Sequence, residues 1–312
     1  MASPGQNRSG PDGGPGLLVL AAALPPLFWA GNFILGRALH AEIQPLALSF
    51  WRWALALLIL LPFSYWRLVS QWAAVKASWP ILSLLALLGV TNYNTFAYIG
   101  LQTTTATNAV LLTSTTPVLI LALSWMLLRR HISPAQGLGM ALSLAGVAVI
   151  VSEGDPARLA AVRLTSGDLW ILAAGLDWAL YSVCLRWRPA DLDPLVFLTA
   201  TVAIGTLPLA GLYGWDLWQG NRFDLTPANL AALGYVALFP SVLAYVIWNR
   251  SVAELGANRT GQYIHLLPVF GALLAVVLLG ERWQWVHGAG VSLIALGLWL
   301  SSRHDRPARG RA

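Results

Sequence analysis

The chain has 312 residues, of which 57% are hydrophobic and only 10% charged, and it carries a formal net charge of +6. About a quarter of the residues in a soluble domain are charged, so this composition excludes an ordinary soluble protein. The long apolar runs predict an all-α integral membrane protein. A β-barrel is excluded because it would show weak alternation of apolar and polar residues. The basic residues are dispersed among loop ends, so we expect no nucleic-acid partner.

The predicted elements begin after residues 1–16, a segment rich in Gly, Pro and Ser that we expect to be disordered. The apolar segment from Leu17 to Leu39 is too long for a signal peptide and carries Asn32 and Arg37, so it is predicted to be the first span. Ten segments are each long enough to cross about 30 Å of hydrocarbon. The predicted spans are 17–39, 45–62, 79–99, 106–127, 134–151, 167–185, 194–213, 228–249, 257–279 and 284–302.

The loop charges predict the orientation of these spans. With the N-terminus inside, the inner loops are the more basic, and the basic C-terminal tail, 303–312, is also inside. The sequence therefore predicts a multi-pass protein of the bacterial cytoplasmic (inner) membrane, with both termini in the cytoplasm. The inner loops hold Arg67, Lys76, Arg129, Arg130, Arg186, Arg188 and Arg250, and the outer loops hold Arg37, Arg158, Arg163, Arg222 and Arg282.

The chain also repeats itself. The stretch from Pro117 matches the stretch from Pro268 at an offset of 151, and Trp29 matches Trp178 at an offset of 149. Each half holds five predicted spans, and an odd number inserts the second copy from the opposite face, so we predict ten transmembrane helices as two inverted five-helix repeats. The predicted units are a first repeat (17–151), a connecting loop (152–166) and a second repeat (167–302).

Three glycines of the last span, Gly288, Gly290 and Gly297, have equivalents at Gly137, Gly139 and Gly146. Small residues at such spacings let a neighbouring backbone approach inside lipid, so we expect them at a helix–helix contact. Two inverted halves can exchange conformations and open a central site first to one side and then to the other. The duplication therefore favours a transporter that works by alternating access.

Several motifs carry a family resemblance. Leu278-Leu279-Gly280-Glu281, the glycines up to Gly297, and the segments Trp29-Ala30-Gly31-Asn32-Phe33 and Phe50-Trp51-Arg52-Trp53-Ala54 resemble the two EamA domains of the drug/metabolite transporter superfamily, over about residues 17–302. The resemblance implies ten helices, two EamA domains and export of small metabolites, often amino acids. Within the superfamily the chain is similar to YddG-like aromatic amino-acid exporters, without residues that separate these from other branches.

The sequence departs from internal symmetry at one turn, because Arg129-Arg130 stands where the second half has Gly280-Glu281. Glu281 is therefore not expected to belong to a symmetric pair of functional carboxylates. We interpret it as part of a polar turn at a helix end, beside water.

Candidate substrate-binding residues are those at membrane depth that are non-aliphatic in both halves. A central cavity related by two-fold symmetry should be lined from both copies. The alternative is that the Tyr and Trp residues form interfacial belts, while the Asn and Ser residues hydrogen-bond between helices. The equivalent pairs are Trp29 with Trp178, Asn32 with Tyr181, Asn94 with Tyr245, Tyr98 with Asn249, and Ser114 with His265.

Two titratable residues lie within spans. An ionised carboxylate is costly at the depth of Asp177, so we expect it to be protonated, paired or hydrated. It is a candidate for proton coupling or for binding a substrate amine; the alternative is a packing hydrogen bond or a polar cavity wall. His265 either titrates near neutrality or is a neutral, hydrogen-bonded core residue.

Other residues are predicted to shape the helices. Arg52, near the start of the second span, is expected to be an anchor whose long stem reaches the interface, with recognition of a substrate carboxylate as the alternative. Pro117 and Pro268 lie inside helical runs and are expected to permit kinks. The hydroxyls of 113–116 would then satisfy the loosened backbone.

The sequence contains no Gly-rich phosphate loop, no metal-ligand spacing among its five histidines and a single cysteine, Cys184, so we expect no cofactor, no metal and no internal disulfide. We predict a non-enzymatic exporter of small metabolites, favouring amino acids, because the predicted centre is aromatic and nearly free of fixed charge. The alternatives are a nucleotide-sugar or phosphorylated-metabolite exchanger, a membrane-embedded enzyme and a passive channel. One chain builds the whole centre, so a monomer suffices.

Overall fold

The computed structural model describes residues 15–160, 165–279 and 284–302, and these residues form helices and loops with no strand. Eight helices are long and apolar enough to cross a membrane. They are α1 (Leu18–Ala38), α2 (Pro45–Ser70), α3 (Trp79–Thr103), α4 (Ala106–Leu128), α5 (Pro134–Val151), α6 (Ser166–Trp187), α7 (Pro194–Trp218) and α8 (Pro227–Leu255). Two further helical segments follow, α9 (257–279) and α10 (Trp285–Ser302).

The chain is an integral multi-pass membrane protein, as its composition predicts. Short helices, Trp72–Ala77 and Pro156–Ala160, lie in two of the connections. The predicted tails at 1–14 and 303–312, the turn at Gly280-Glu281-Arg282 and Arg163 lie outside the described residues. Residues 15 and 16, predicted to be disordered, belong to the helix Pro15–Ala21.

Several predicted spans were too short at their carboxyl ends. Helix α2 continues to Ser70 instead of stopping at 62, and α8 continues to Leu255 instead of 249. The added turns hold aromatic and charged side chains such as Trp66 and Arg67, which are typical of the membrane interface. Hydropathy falls there, but the backbone hydrogen bonds of the helix continue.

Besides a turn at residues 22–23 within α1, four helices are interrupted at two pairs of repeat-equivalent positions. Helix α3 contains a π-helical segment at Leu87–Asn92, and α8 contains another at Leu238–Leu243. Helix α4 breaks at residues 114–115, and α9 contains a 3₁₀ segment at Gln262–Leu266. Irregular backbone at membrane depth is tolerated where protein surrounds it, and such breaks are common at transport sites.

Two hydroxyl residues at the α4 break bond to carbonyls of the preceding turn. Pro117 follows directly in the second part of the helix. The Ser114 Oγ donates to the Val110 carbonyl at 2.8 Å, and the Thr115 Oγ1 donates to the Leu112 carbonyl at 2.6 Å. Both carbonyls also accept a backbone N–H, from Ser114 and Thr115 respectively. These bonds therefore do not reach the Thr113 carbonyl, which loses its donor at Pro117, and the role predicted for the hydroxyls stays a prediction.

Helices α5 and α10 pack against each other in antiparallel orientation. A Cβ at Gly146 would lie 2.6 Å from the Gly290 carbonyl oxygen, and a Cβ at Gly290 would lie 2.8 Å from that of Gly146. Gly139 contacts Gly297 in the same way. The predicted contact thus forms at these four glycines. Gly137 and Gly288 lie outside it, because nothing lies within 4 Å of either Cβ position.

Candidate functional site

The centre of the protein is a cluster of large aromatic side chains, here called the aromatic cluster. Trp178 is its hub, with its ring centroid 5.0 Å from that of Trp29, 4.9 Å from Tyr93 and 5.3 Å from Trp248. Trp29 is 3% exposed and Trp178 is 2% exposed, so neither faces lipid. The aromatic cluster consists of Trp29, Trp53, Tyr93, Trp178, Tyr181, Tyr245 and Trp248.

Arg52 of α2 lies beside this cluster and is fully buried, with 0% of its surface exposed. Its Nη1 donates to the Asn32 Oδ1 at 2.9 Å and to the Tyr98 hydroxyl at 2.8 Å. Its Nη2 donates to the Pro240 carbonyl at 3.0 Å. The Tyr98 hydroxyl in turn donates to the Asn32 Oδ1 at 2.7 Å. Arg52 therefore joins α1, α2 and α3 to the π-helical segment of α8.

This position corrects the prediction that Arg52 extends to the membrane interface. Its guanidinium points inward, where neutral oxygens accept from it, and its Nε has no partner among the described residues. None of the ion pairs in the described part of the chain includes Arg52. A cation without a counter-charge at this depth is costly and marks a functional position by default.

Each π-helical segment exposes a carbonyl to the opposite half of the chain. The Pro240 carbonyl accepts from the Trp29 Nε1 at 3.1 Å as well as from Arg52. The repeat-equivalent carbonyl, that of Gly89, accepts from the Tyr245 hydroxyl. The Asn94 amide lies beside Tyr245 but has no hydrogen bond of its own within the described segments. The two halves are thus hydrogen-bonded to each other at equivalent places.

A second tyrosine–asparagine pair repeats the first with its roles exchanged. The Tyr181 hydroxyl of α6 donates to the Asn249 Oδ1 of α8 at 2.8 Å. In the first half the asparagine is on α1 and the tyrosine on α3, whereas here the tyrosine occupies the position equivalent to Asn32. Thr201 stands where Arg52 stands, at an offset of 149, and donates to carbonyls of its own helix. The second pair therefore has no arginine beside it at this position.

Ser114 and His265, a repeat-equivalent pair, meet at the breaks of α4 and α9. The buried His265 Nε2 lies 3.1 Å from the Ser114 carbonyl, which can only accept, so Nε2 carries the proton and donates. The His265 Nδ1 has no partner among the residues described. The contact is therefore to the serine backbone, while the Ser114 hydroxyl bonds within α4.

Asp177 lies apart from the aromatic cluster although it precedes Trp178. Consecutive residues on a helix point about 100° apart, and Asp177 is half-buried on another side of α6. Its carboxylate lies beside the Asn92 side chain of α3, and its Oδ2 is buried without a partner in the described structure. Asp177 lines neither of the two cavities described below, and a role in proton coupling or in binding a substrate amine stays a prediction.

Two cavities lie at opposite ends of α4. The first, here called the arginine cavity, has a volume of about 830 Å³ and is lined where α4, α6 and α8 end. Asn249 lies in its wall. Its charged or titratable lining residues are Arg129, Arg130, His131, Arg186, Arg188 and Glu254.

The second, here called the apolar cavity, has a volume of about 610 Å³ and is lined where α4 begins and α5 ends. Phe33, Val110 and Pro268 are typical of its walls, and Glu153 and His287 are its titratable lining residues. The aromatic cluster has a sequence neighbour in the wall of each cavity: Ala30, in the apolar cavity wall, follows Trp29, and Asn249, in the arginine cavity wall, follows Trp248.

Of the predicted binding residues, only Asn249 lines a described cavity. The others lie in or beside the packed centre, except Asp177. The requirement for non-aliphatic residues in both halves missed Trp53, Tyr93 and Trp248, because their equivalents are Val202, Ala244 and Ala97. The sequence analysis did not predict that four arginines line one cavity. The available signal was Arg129-Arg130, which departs from the repeat.

Known proteins resemble this chain over nearly its whole length. Residues 16–152 and 165–303 each match the EamA-like transporter family. An uncharacterised transporter of Archaeoglobus fulgidus is 31% identical over 289 residues, covering 91% of this chain and 96% of the relative. The uncharacterised transporter YyaM of Bacillus subtilis is 26% identical, covering 88% and 90%. A chloroplastic WAT1-related protein of Arabidopsis thaliana is 25% identical, covering 88% and 67%.

One solved crystal structure has the same fold. It superposes with a TM-score of 0.75 at 20% sequence identity, covering 92% of this chain and 96% of the other. At that identity the similarity concerns the fold alone.

Proposed function

This chain belongs to the EamA-like transporter family, and from that premise we propose that it exports small neutral amino acids, aromatic ones included, by alternating access. The observation that carries the proposal is the aromatic cluster, which both halves build and which has a sequence neighbour in the wall of each cavity. Aromatic faces bind apolar side chains, and the nearby amides and Arg52 offer groups that bind a zwitterion.

The proposed mechanism needs two five-helix halves that are inverted with respect to each other. Supporting this, the equivalent helices α5 and α10 are antiparallel, and the equivalent residues Ser114 and His265 are in contact. Repeat-equivalent breaks in α3 and α8, and in α4 and α9, supply places where backbone geometry can change. We propose that movement at these breaks opens the centre to one cavity at a time.

The orientation follows from charge. The end of the protein that carries the arginine cavity is the basic one, and basic loops face the cytoplasm. We therefore propose that the arginine cavity faces the cytoplasm of a bacterial inner membrane, that the apolar cavity faces outward, and that both termini are cytoplasmic. Substrate would enter through the arginine cavity and leave through the apolar one.

A second candidate is exchange of phosphorylated metabolites or nucleotide sugars. The four arginines of one cavity favour it, because they give this cavity a fixed positive charge that the sequence analysis did not predict.

For a membrane-embedded enzyme, Ser114 and His265 do not form a nucleophile–base pair, because the histidine contacts the serine carbonyl and the serine hydroxyl bonds within α4.

The test is uptake into proteoliposomes of labelled phenylalanine, methionine, threonine and a nucleotide sugar, with and without a proton gradient. We expect saturable uptake of at least one amino acid, absent from liposomes without protein. Transport of the nucleotide sugar alone would overturn the amino-acid assignment in favour of the second candidate.

A further inference from the structure

We propose that the arginine cavity is a vestibule that selects substrates carrying a carboxylate, and that Arg129 is its principal selecting residue. This inference rests on the proposed function and specifies how the substrate is admitted. The apolar cavity at the other end would release substrate without such a bias.

The vestibule carries net positive charge. Arg129, Arg130 and Arg186 are exposed to it, and none of them takes part in an ion pair in the described structure. Glu254 is the acidic lining residue, and it is neutralised by Arg250, whose Nε lies 2.9 Å from the carboxylate. Convergent charges in a concave site raise the local concentration of oppositely charged solutes.

The vestibule wall is connected to the centre of the protein. Arg188, the fourth arginine, is half-buried and lies 5.9 Å from the centroid of the Phe197 ring. Tyr181 donates to Asn249 in the vestibule wall and stacks on Trp178. The vestibule wall is therefore in contact with the aromatic cluster through Tyr181.

The vestibule wall contains polar atoms that lack partners. The Ser124 Oγ, the Ser182 Oγ and the Asn249 Nδ2 are all buried without a hydrogen bond among the described residues, and all three residues line the cavity. Buried polar atoms without partners are unusual in a native protein and call for an explanation. A ligand with several hydrogen-bonding groups supplies one.

The backbone at Arg129 is the most specific observation. Arg129 ends α4 in the left-handed conformation, with φ 51° and ψ 32°. Glycine adopts this conformation without penalty, and glycine is what the sequence has at the equivalent position, Gly280. The chain therefore keeps an arginine at a strained position that a glycine would relieve, which indicates that its side chain serves a purpose.

Membrane topology alone explains why basic residues lie at this end, but not their arrangement. Other basic residues of the same end have partners elsewhere: Arg67 binds Asp193 at 3.1 Å, and Lys76 lies 5.5 Å from the Trp72 ring. The cavity arginines instead surround a single space. A carboxylate suits it better than a phosphate, because the buried wall beyond the rim, at Ser124, Ser182 and Asn249, is neutral.

The test is transport of labelled phenylalanine by the Arg129→Gly variant. We expect KM on the arginine-cavity side to rise about fivefold, and about twentyfold when Arg130→Gln is added, with kcat little changed. Melting temperature should stay constant or rise, because glycine relieves the backbone. Lys76→Gln is the matched control, since it removes one positive charge from the same end outside the cavity, and its KM should not change.

A second arm varies the substrate. Phenylalaninamide and phenethylamine keep the aromatic ring and lack the carboxylate, so they should be poor substrates whose KM does not depend on Arg129. Phenylalanine transport with an unchanged KM in Arg129→Gly, or equal transport of phenethylamine by the natural chain, would overturn the vestibule while leaving the exporter intact. Transport of no amino acid by the natural chain would overturn the proposed function instead.

Discussion

The two tyrosine–asparagine pairs show the same bond in opposite surroundings. The Tyr98–Asn32 pair is bound to Arg52 and sealed in the interior, whereas the Tyr181–Asn249 pair reaches the wall of the arginine cavity and has Thr201 in place of the arginine. The two halves share equivalent helices, but one pair has a buried cation beside it, and the other lies at a cavity lined by four arginines. Symmetry in the helices therefore does not imply symmetry in the chemistry.

The largest effect is expected where the pairs differ most, at Arg52. In Arg52→Met the Asn32 Oδ1 keeps its bond from Tyr98, and the Pro240 carbonyl keeps its bond from Trp29. Stability should therefore fall by only about 1–3 kcal/mol, as measured by thermal unfolding in detergent. If Arg52 binds the substrate carboxylate, kcat/KM should fall about 30-fold, the equivalent of a charged hydrogen bond worth about 2 kcal/mol.

The equivalent substitution, Thr201→Val, is the control for Arg52→Met. It preserves shape and removes a hydroxyl that bonds only to its own helix, so transport should be unchanged within about twofold. Equal losses of transport in the two variants would show that Arg52 acts only through packing.

A smaller effect on transport is expected when each pair loses its asparagine, and the two variants should differ in whether stability or KM changes more. Asn32→Ala leaves the Tyr98 hydroxyl without its acceptor and takes one of the acceptors of Arg52, so it should cost roughly 3 kcal/mol of stability. Asn249→Ala should cost roughly 1 kcal/mol and raise KM about fivefold, because it removes a group in the vestibule wall. Thermal unfolding and transport kinetics measured on both variants would test this, and a larger stability loss in Asn249→Ala would contradict the contrast.

The smallest structural effect is expected at Asp177, which belongs to neither pair. Asp177→Asn is isosteric, so stability should change by less than about 1 kcal/mol. If the carboxylate carries the coupling proton, the variant should lose transport driven by a pH gradient and retain exchange of labelled for unlabelled substrate. Unchanged pH dependence would assign Asp177 to packing, through its contact with Asn92.

Much of the centre could be predicted from the internal repeat, because a residue close to the axis that relates two symmetric halves also lies close to its equivalent. Matching the halves placed Trp29 with Trp178 and Ser114 with His265, and both pairs are in contact. The same comparison could not find Trp248, whose equivalent is alanine.

Comparing the halves also could not predict that Arg52 points inward. An arginine near a helix end either extends to water or finds hydrogen-bond acceptors inside the protein, and only tertiary contacts decide between these.

The π-helical segments could not be predicted for a similar reason. An extra residue in a helical turn is stabilised by the partners that its displaced carbonyl finds, here Trp29 and Arg52 for Pro240 and Tyr245 for Gly89. Those partners come from distant parts of the chain, so no local sequence pattern predicts the π-helical segments.

The glycine contact between α5 and α10 has a consequence for how the protein is held together. Exchanging the two halves converts the contact of Gly139 with Gly297 into the contact of Gly290 with Gly146, so the seam is self-complementary, as in an isologous dimer. One chain thus contains an interface of the kind that usually joins two copies. An added side chain at any of these four glycines would lie within 3 Å of the facing backbone. We therefore expect α5 and α10 to stay in contact if the halves move as proposed.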